Sequence, residues 1–166
     1  LASGDSVEYA MARYQNDVTI ELVQPNFRYF PQRLPNDPFF NQLWALKNDG
    51  QLVPQGTYPN NPGSPGNDMG LDAAWDLTID CRSTVVAVID TGINYTHLDL
   101  VDNMWDGSAR GYANHGYDFV DNDTDPMPAD GDGHGTHVAG AIAATGDNAR
   151  GTTGVCWRAR LMALRA

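Results

Sequence analysis

The chain has 166 residues, 42% of them hydrophobic and 10% aromatic, enough for one packed core. Its formal charge is −11, from 21 acidic against 10 basic residues, which argues against nucleic acid and anionic membranes as partners because both attract positive surfaces. No apolar run approaches the roughly 20 residues that span a bilayer, and Leu1 to Asp5 carries neither the basic start nor the apolar stretch of a signal peptide.

Along the chain, Val7, Tyr9, Ala10, Met11 and Tyr14 recur at helical spacing, and the β-branched segment Val18 to Val23 reads as a strand. Pro25-Asn26 and the prolines from Pro31 to Pro38 break regular structure, and residues 50–70, rich in Pro, Gly and Asn, read as a long loop. Gly70 to Asp76 is expected to form a short helix with Asp68 as its cap. Thr84 to Ile89 is a continuous apolar run, typical of a strand covered on both faces. Residues 99–133 are acidic and mostly loop, with Tyr117 to Val120 as a short strand. His134 to Thr145 reads as helix and Arg160 to Leu164 as a second buried strand. Strand, helix, strand implies a right-handed parallel crossover and an α/β class. Cys81 and Cys156 each precede a predicted strand and would face one another if those strands are parallel neighbours; a disulfide and two buried thiols both stay open. Leu161 to Ala166 stops inside an apolar strand pattern, so both ends are expected to be cuts in a longer polypeptide.

Asp90 closes the first buried strand, at the edge where open α/β sheets gather functional groups. Thr91-Gly92 then turn the chain away and leave the carboxylate at the rim, although an Asp that merely caps the turn is the alternative. His134 stands between Gly133 and Gly135, which permit close approach and unusual dihedrals. A helix N-terminus disfavours the imidazolium and a nearby carboxylate favours it, and these opposed effects keep a base useful near neutral pH. A carboxylate that orients an imidazole, and an imidazole free to move a proton, are two of the three parts of acyl-transfer chemistry. His137, beside Val138 and Ala139, is expected to be packed; a zinc pair with His134 lacks the glutamate and spacing of the usual zinc helix. Asp118, Asp121, Asp123 and Asp125 crowd one loop with Asn122 and Thr124. Four like charges this close require water or a cation, and hard oxygen ligands in a flexible loop suit calcium.

Val86-Ala87-Val88-Ile89-Asp90-Thr91-Gly92-Ile93, His97-Leu98-Asp99-Leu100 and Gly133-His134-Gly135-Thr136-His137-Val138-Ala139-Gly140, in this order and spacing, resemble the subtilisin-like serine proteases, especially the thermitase-like branch. The likeness continues through Gly154-Val155-Cys156-Trp157 and Leu161 to Leu164, and reaches upstream to Asn36-Asp37-Pro38-Phe39-Phe40, so that residues 34–166 are covered. It implies an incomplete parallel-sheet, three-layer α/β fold, with residues 1–33 as the end of a small α+β inhibitory propeptide. Pro25 to Tyr29 would be the closing stretch of that propeptide, with self-cleavage between Tyr29 and Pro35. Asp90 would be the triad carboxylate, and His134 the general base and then the general acid.

The family's serine lies in a Gly-Thr-Ser-Met-type helix start beyond residue 166, and Ser3, Ser6, Ser64, Ser83 and Ser108 have no such context. The resemblance therefore implies that these residues alone are inactive. It also implies two structural calcium sites. One would be formed by the Asp118, Asp121, Asp123 and Asp125 loop. The other would use the side chains of Asp37, Asp99 and Asn148 with the carbonyls of Thr145, Arg150 and Thr152. The expectation is a secreted, monomeric, calcium-stabilised serine endopeptidase acting on proteins or peptides, with its own propeptide as partner. A non-catalytic calcium-binding or interaction protein on the same scaffold is the alternative.

Overall fold

The computed structural model describes residues 6–25, 33–52 and 63–166. The chain divides into two compact units, Leu1–Pro31 and Gln32–Ala166.

In the first unit, helix α1 (Val7–Tyr14) starts where the Ser6 hydroxyl accepts the Tyr9 amide at 3.1 Å. Glu8 in its first turn and Arg13 in its last complement the helix dipole. The strand expected over Val18 to Val23 is absent. Asp17 instead accepts the Thr19 amide and hydroxyl, the segment forms turns, and Val18 is fully exposed. β-Branched residues favour a strand only where a neighbouring edge supplies ladder bonds and a packed face, and the described residues of this unit offer neither. The expected propeptide closing stretch from residue 26, the cleavage interval up to residue 32 and the middle of the 50–70 loop lie outside the described residues.

The second unit is built on a parallel sheet of order β1-β3-β2, from β1 (Val86–Asp90), β2 (Gly116–Asp118) and β3 (Leu161–Arg165). Between β2 and β3 runs helix α3 (His134–Ala143). Its buried Gly135, Ala139 and Ala143 recur every four residues, a stripe small enough to bring the helix close to β1. Ala139 and Ala143 share a core with Val88, Ile93, Leu100, Met104, Leu161 and Ala163. Among the described residues β1 is covered on one face: Val88 is buried while Ile89 is 70% exposed. Period-two alternation sends Ile89 to the opposite face, which no described residue covers.

A second cluster joins Leu46, Leu71, Trp75 and Trp157, with the two indoles 5.2 Å apart and Trp75 Nε1 donating to the Val155 carbonyl. Helix α2 (Leu71–Leu77) feeds it. The helix begins at Gly70 in the left-handed region (φ 63°), and Asp68 accepts the Gly70 amide rather than capping the first turn. The pairing of β1 with β3 extends upstream as an Asp80–Arg158 bridge, which brings the flanking cysteines together. Cys81 and Cys156 are joined in a disulfide with Cα atoms 6.1 Å apart.

Candidate active site

In the sheet register Asp90, Arg165 and Asp118 lie side by side at the carboxyl ends of the three strands. Asp90, with 15% of its side chain exposed, turns its carboxylate back onto the following amide, Thr91 N, at 2.7 Å. The same oxygen, Oδ1, meets His134 Nδ1 at 2.6 Å. A carboxylate can only accept, so Nδ1 carries the proton. The tautomer thus set leaves Nε2 as the nitrogen able to take a second proton, on a side chain that is 69% exposed.

Sequence dictates this approach through Gly135 in particular. A Cβ there would sit 2.2 Å from the Gly92 carbonyl and 3.1 Å from the Asp90 side chain. Gly133 is different: its φ is −109° and a Cβ would meet nothing within 4 Å, so the close-approach role expected of both glycines belongs to Gly135. The hydrogen bond and charge of Asp90 raise His134 above its ordinary value, with a smaller contribution from Asp132. His134 and the Thr91 amide in turn hold Asp90 below the usual carboxylate range.

Asp132, not singled out by sequence, joins this junction together with Thr91. Asp132 Oδ1 accepts the Thr91 hydroxyl at 2.9 Å and the His134 amide at 3.1 Å, and Thr91 Oγ1 accepts the Gly135 amide at 3.2 Å. The signal available in the sequence was an Asp two residues before a helix start, where its oxygen reaches a free amide. His137 is exposed rather than packed, and lines a cavity of about 690 Å³ with Thr136, Asp99 and Leu100. Among the described residues, no serine is a hydrogen-bond partner of His134.

The expected metal-binding residues fall into two groups. Asp37 and Asp99, only 5% and 4% exposed, converge on the loop after α3. Asp37 accepts the Asp147 amide at 2.7 Å and the Asn148 amide at 3.4 Å, while Asp99 accepts Asn148 Nδ2 at 2.8 Å and the Thr152 amide at 2.9 Å. Gly151 is required here, since a Cβ would lie 2.4 Å from Asp99 Oδ2. Burial pushes the Asp37 carboxyl up, the amides of Asp147 and Asn148 oppose this, and the charge of Asp99 adds to the rise. Arg150 donates its amide to Asn148 Oδ1, the Thr145 amide donates to the Asp99 carbonyl, and Thr145 Oγ1 is buried with no partner among the described residues.

In the acidic loop, Arg165 Nη1 bridges Asp118 at 2.5 Å and Asp121 at 2.6 Å. Burial alone would raise Asp118, but the Asp121 amide and the guanidinium outweigh it and hold the carboxyl low. Asp123 accepts the Asp125 amide, and Asp125 accepts the Tyr95 hydroxyl and the Met127 amide. Among the described residues, no three His, Cys, Asp or Glu side chains are grouped to hold a metal ion.

Comparison with known proteins agrees with this geometry. The Subtilase family model matches residues 82–166, which contain both Asp90 and His134. A thermophilic serine proteinase of Bacillus sp. (strain AK1) is 38% identical over 161 residues, 97% of this chain and 33% of that protein. The halolysin-like extracellular serine protease Nep of Natrialba magadii is 34% identical over 156 residues, 91% of this chain and 24% of that protein. The crystal structure of Aeromonas sobria serine protease in complex with its chaperone superposes with a TM-score of 0.63 at 35% identity, over 83% of this chain and 21% of that one. The chain thus spans about a third or less of the length of these relatives. A parallel sheet, an acid closing its first strand, a histidine opening the packed helix and a family match across both place the chain in the subtilase family.

Proposed function

We propose that the chain supplies the acid–base half of a secreted serine endopeptidase, which cleaves peptide bonds through an acyl-enzyme. The observation that carries this reading is the 2.6 Å contact between Asp90 and His134. In the proposed cycle His134 Nε2 takes the proton of a serine hydroxyl as that oxygen attacks the carbonyl carbon. It then returns the proton to the leaving amine, and repeats the transfer with water to release the acid. Asp90 keeps the imidazole in the productive tautomer and stabilises the imidazolium. The serine is contributed by polypeptide outside these 166 residues, which by themselves hydrolyse nothing.

We further propose that residues 1–33 are the end of an inhibitory propeptide, that the mature enzyme is monomeric, and that its substrates are proteins or peptides. The disulfide supports an oxidising destination, since such bonds persist outside the reducing cytosol. Among the described residues no helix is long and apolar enough to cross a membrane.

The buried pair Asp37 and Asp99, with Asn148 and the Thr145, Arg150 and Thr152 carbonyls, fits calcium. The donors are hard oxygens, the two carboxylates repel each other, and neither has an ion-pair partner among the described residues. Bound calcium would supply the missing positive charge and pin the loop after α3. The four aspartates of the 118–125 loop remain a second proposal for calcium, which there would compete with Arg165.

The test is casein hydrolysis by the full-length protein. Wild type hydrolyses it, H134A falls by about 10⁶-fold in turnover and D90A by about 3 × 10⁴-fold, the magnitudes known for the corresponding losses in subtilisin. Wild-type-like turnover in H134A would remove the assignment.

A further inference from the structure

We infer that Asp132 is a positioning residue for the Asp90–His134 pair, fixing the junction between the end of β1 and the start of α3 through Thr91. The inference rests on the peptidase reading of that pair.

The bonds run in one direction. The Thr91 hydroxyl has a single proton and gives it to Asp132 Oδ1. Its lone pairs are then free to accept the Gly135 amide. The His134 amide donates to the same Asp132 oxygen. Thr91 follows Asp90 and Gly135 follows His134, so the network ties the residue after the acid to the residue after the base. Two amides at the helix start, which have no partner within the helix, are satisfied in the process. One of those bonds is charge-assisted and correspondingly strong.

A junction held this way matters because small displacements of a catalytic group cost rate: about 1 Å can cost about a hundredfold. Position is not the sole contribution. Asp90 faces His134 from the end of β1 and Asp132 faces it from the loop before α3, and both favour the imidazolium. Asp132 therefore also keeps the base protonated to higher pH than Asp90 would alone.

The experiment uses the full-length protein with D132N, D132A and T91V. It reads kcat and KM against pH, together with a ¹⁵N-imidazole NMR titration of His134. D132N retains an acceptor and the side-chain shape, so it should lose less plateau kcat than D132A, while its acidic limb and its NMR midpoint both move down. D132A should lose about tenfold in plateau kcat with KM little changed. T91V should lose kcat as D132A does, with its midpoint unmoved.

Plateau kcat in D132A and T91V equal to wild type, or a midpoint unmoved in D132N, would overturn the inference. If D132A fails to fold, D132N and T91V still decide it. The NMR titration needs no turnover. A midpoint that falls in D132N while the wild type hydrolyses nothing would support the link from Asp132 and sink the peptidase reading alone.

Discussion

Asp90 Oδ1 and His134 Nδ1 stand 2.6 Å apart although they close a strand and open a helix 44 residues further along the chain. The pairing sets a sign for the pH dependence. The base works as neutral imidazole, and Asp90 raises the value at which His134 loses its proton above 6.5. The acidic limb of kcat/KM in the full-length protein should therefore lie above pH 6.5 and move down in D90N. The same pairing lends stability that is complete below pH 6.5 and fades as pH rises through the raised value. Water screens so exposed an imidazole, so the kinetic limb is the measurement to make.

Gly135 and Gly133 flank the same histidine with different duties. G135A forces a methyl group against the Gly92 carbonyl and the Asp90 side chain. It should cost about 1–3 kcal/mol through overpacking, and more than tenfold in kcat through displacement of His134. G133A meets open space and should cost less than about 1 kcal/mol. Urea melts and steady-state kinetics of the two variants check the contrast.

Asp37 carries the calcium proposal. Because its carboxyl is raised above 3.8, the folded state holds that proton more tightly than the unfolded chain. Stability of the metal-free protein should therefore decline as pH rises from 3.8 through the raised value. D37N removes this slope and should raise the metal-free Tm. In wild type, calcium at about 100 times its Kd should add about 2.7 kcal/mol, a gain absent from D37N. Calorimetry with excess chelator and then with calcium reads both effects. A wild-type Tm indifferent to chelator would count against the site.

The Cys81–Cys156 bond closes a separation of 75 residues. By its effect on the unfolded chain, its loss should cost about 4 kcal/mol. C81S/C156S and reduced wild type should melt together, well below the oxidised protein. Coincident melting of oxidised and reduced protein would contradict the structural role.

What sequence revealed of this molecule was what local rules encode. An apolar run ending in Asp90, a glycine-flanked His134 and a strand–helix–strand order required no knowledge of register, and the family resemblance added the pairing. Val18 to Val23 misled because strand propensity is expressed only against a partner edge. Ile89 belongs to an apolar run yet faces outward, since an apolar side chain does not announce which face is covered. Arg165 meets Asp118 only through the alignment of β2 with β3. Asp132 acquires its partners only when β1 and α3 are brought together. Asp37 and Asp99 look like surface acids in sequence and are buried by the loop that closes over them.

The central claim is that Asp90 and His134 activate a serine nucleophile. It is tested most directly by labelling the full-length protein with a fluorophosphonate, wild type beside H134A, across pH. The account predicts one serine labelled per molecule, at a rate that rises as His134 deprotonates above pH 6.5 and falls by at least about 10⁴-fold in H134A. An unlabelled wild type, or equal labelling rates in both proteins, would contradict it.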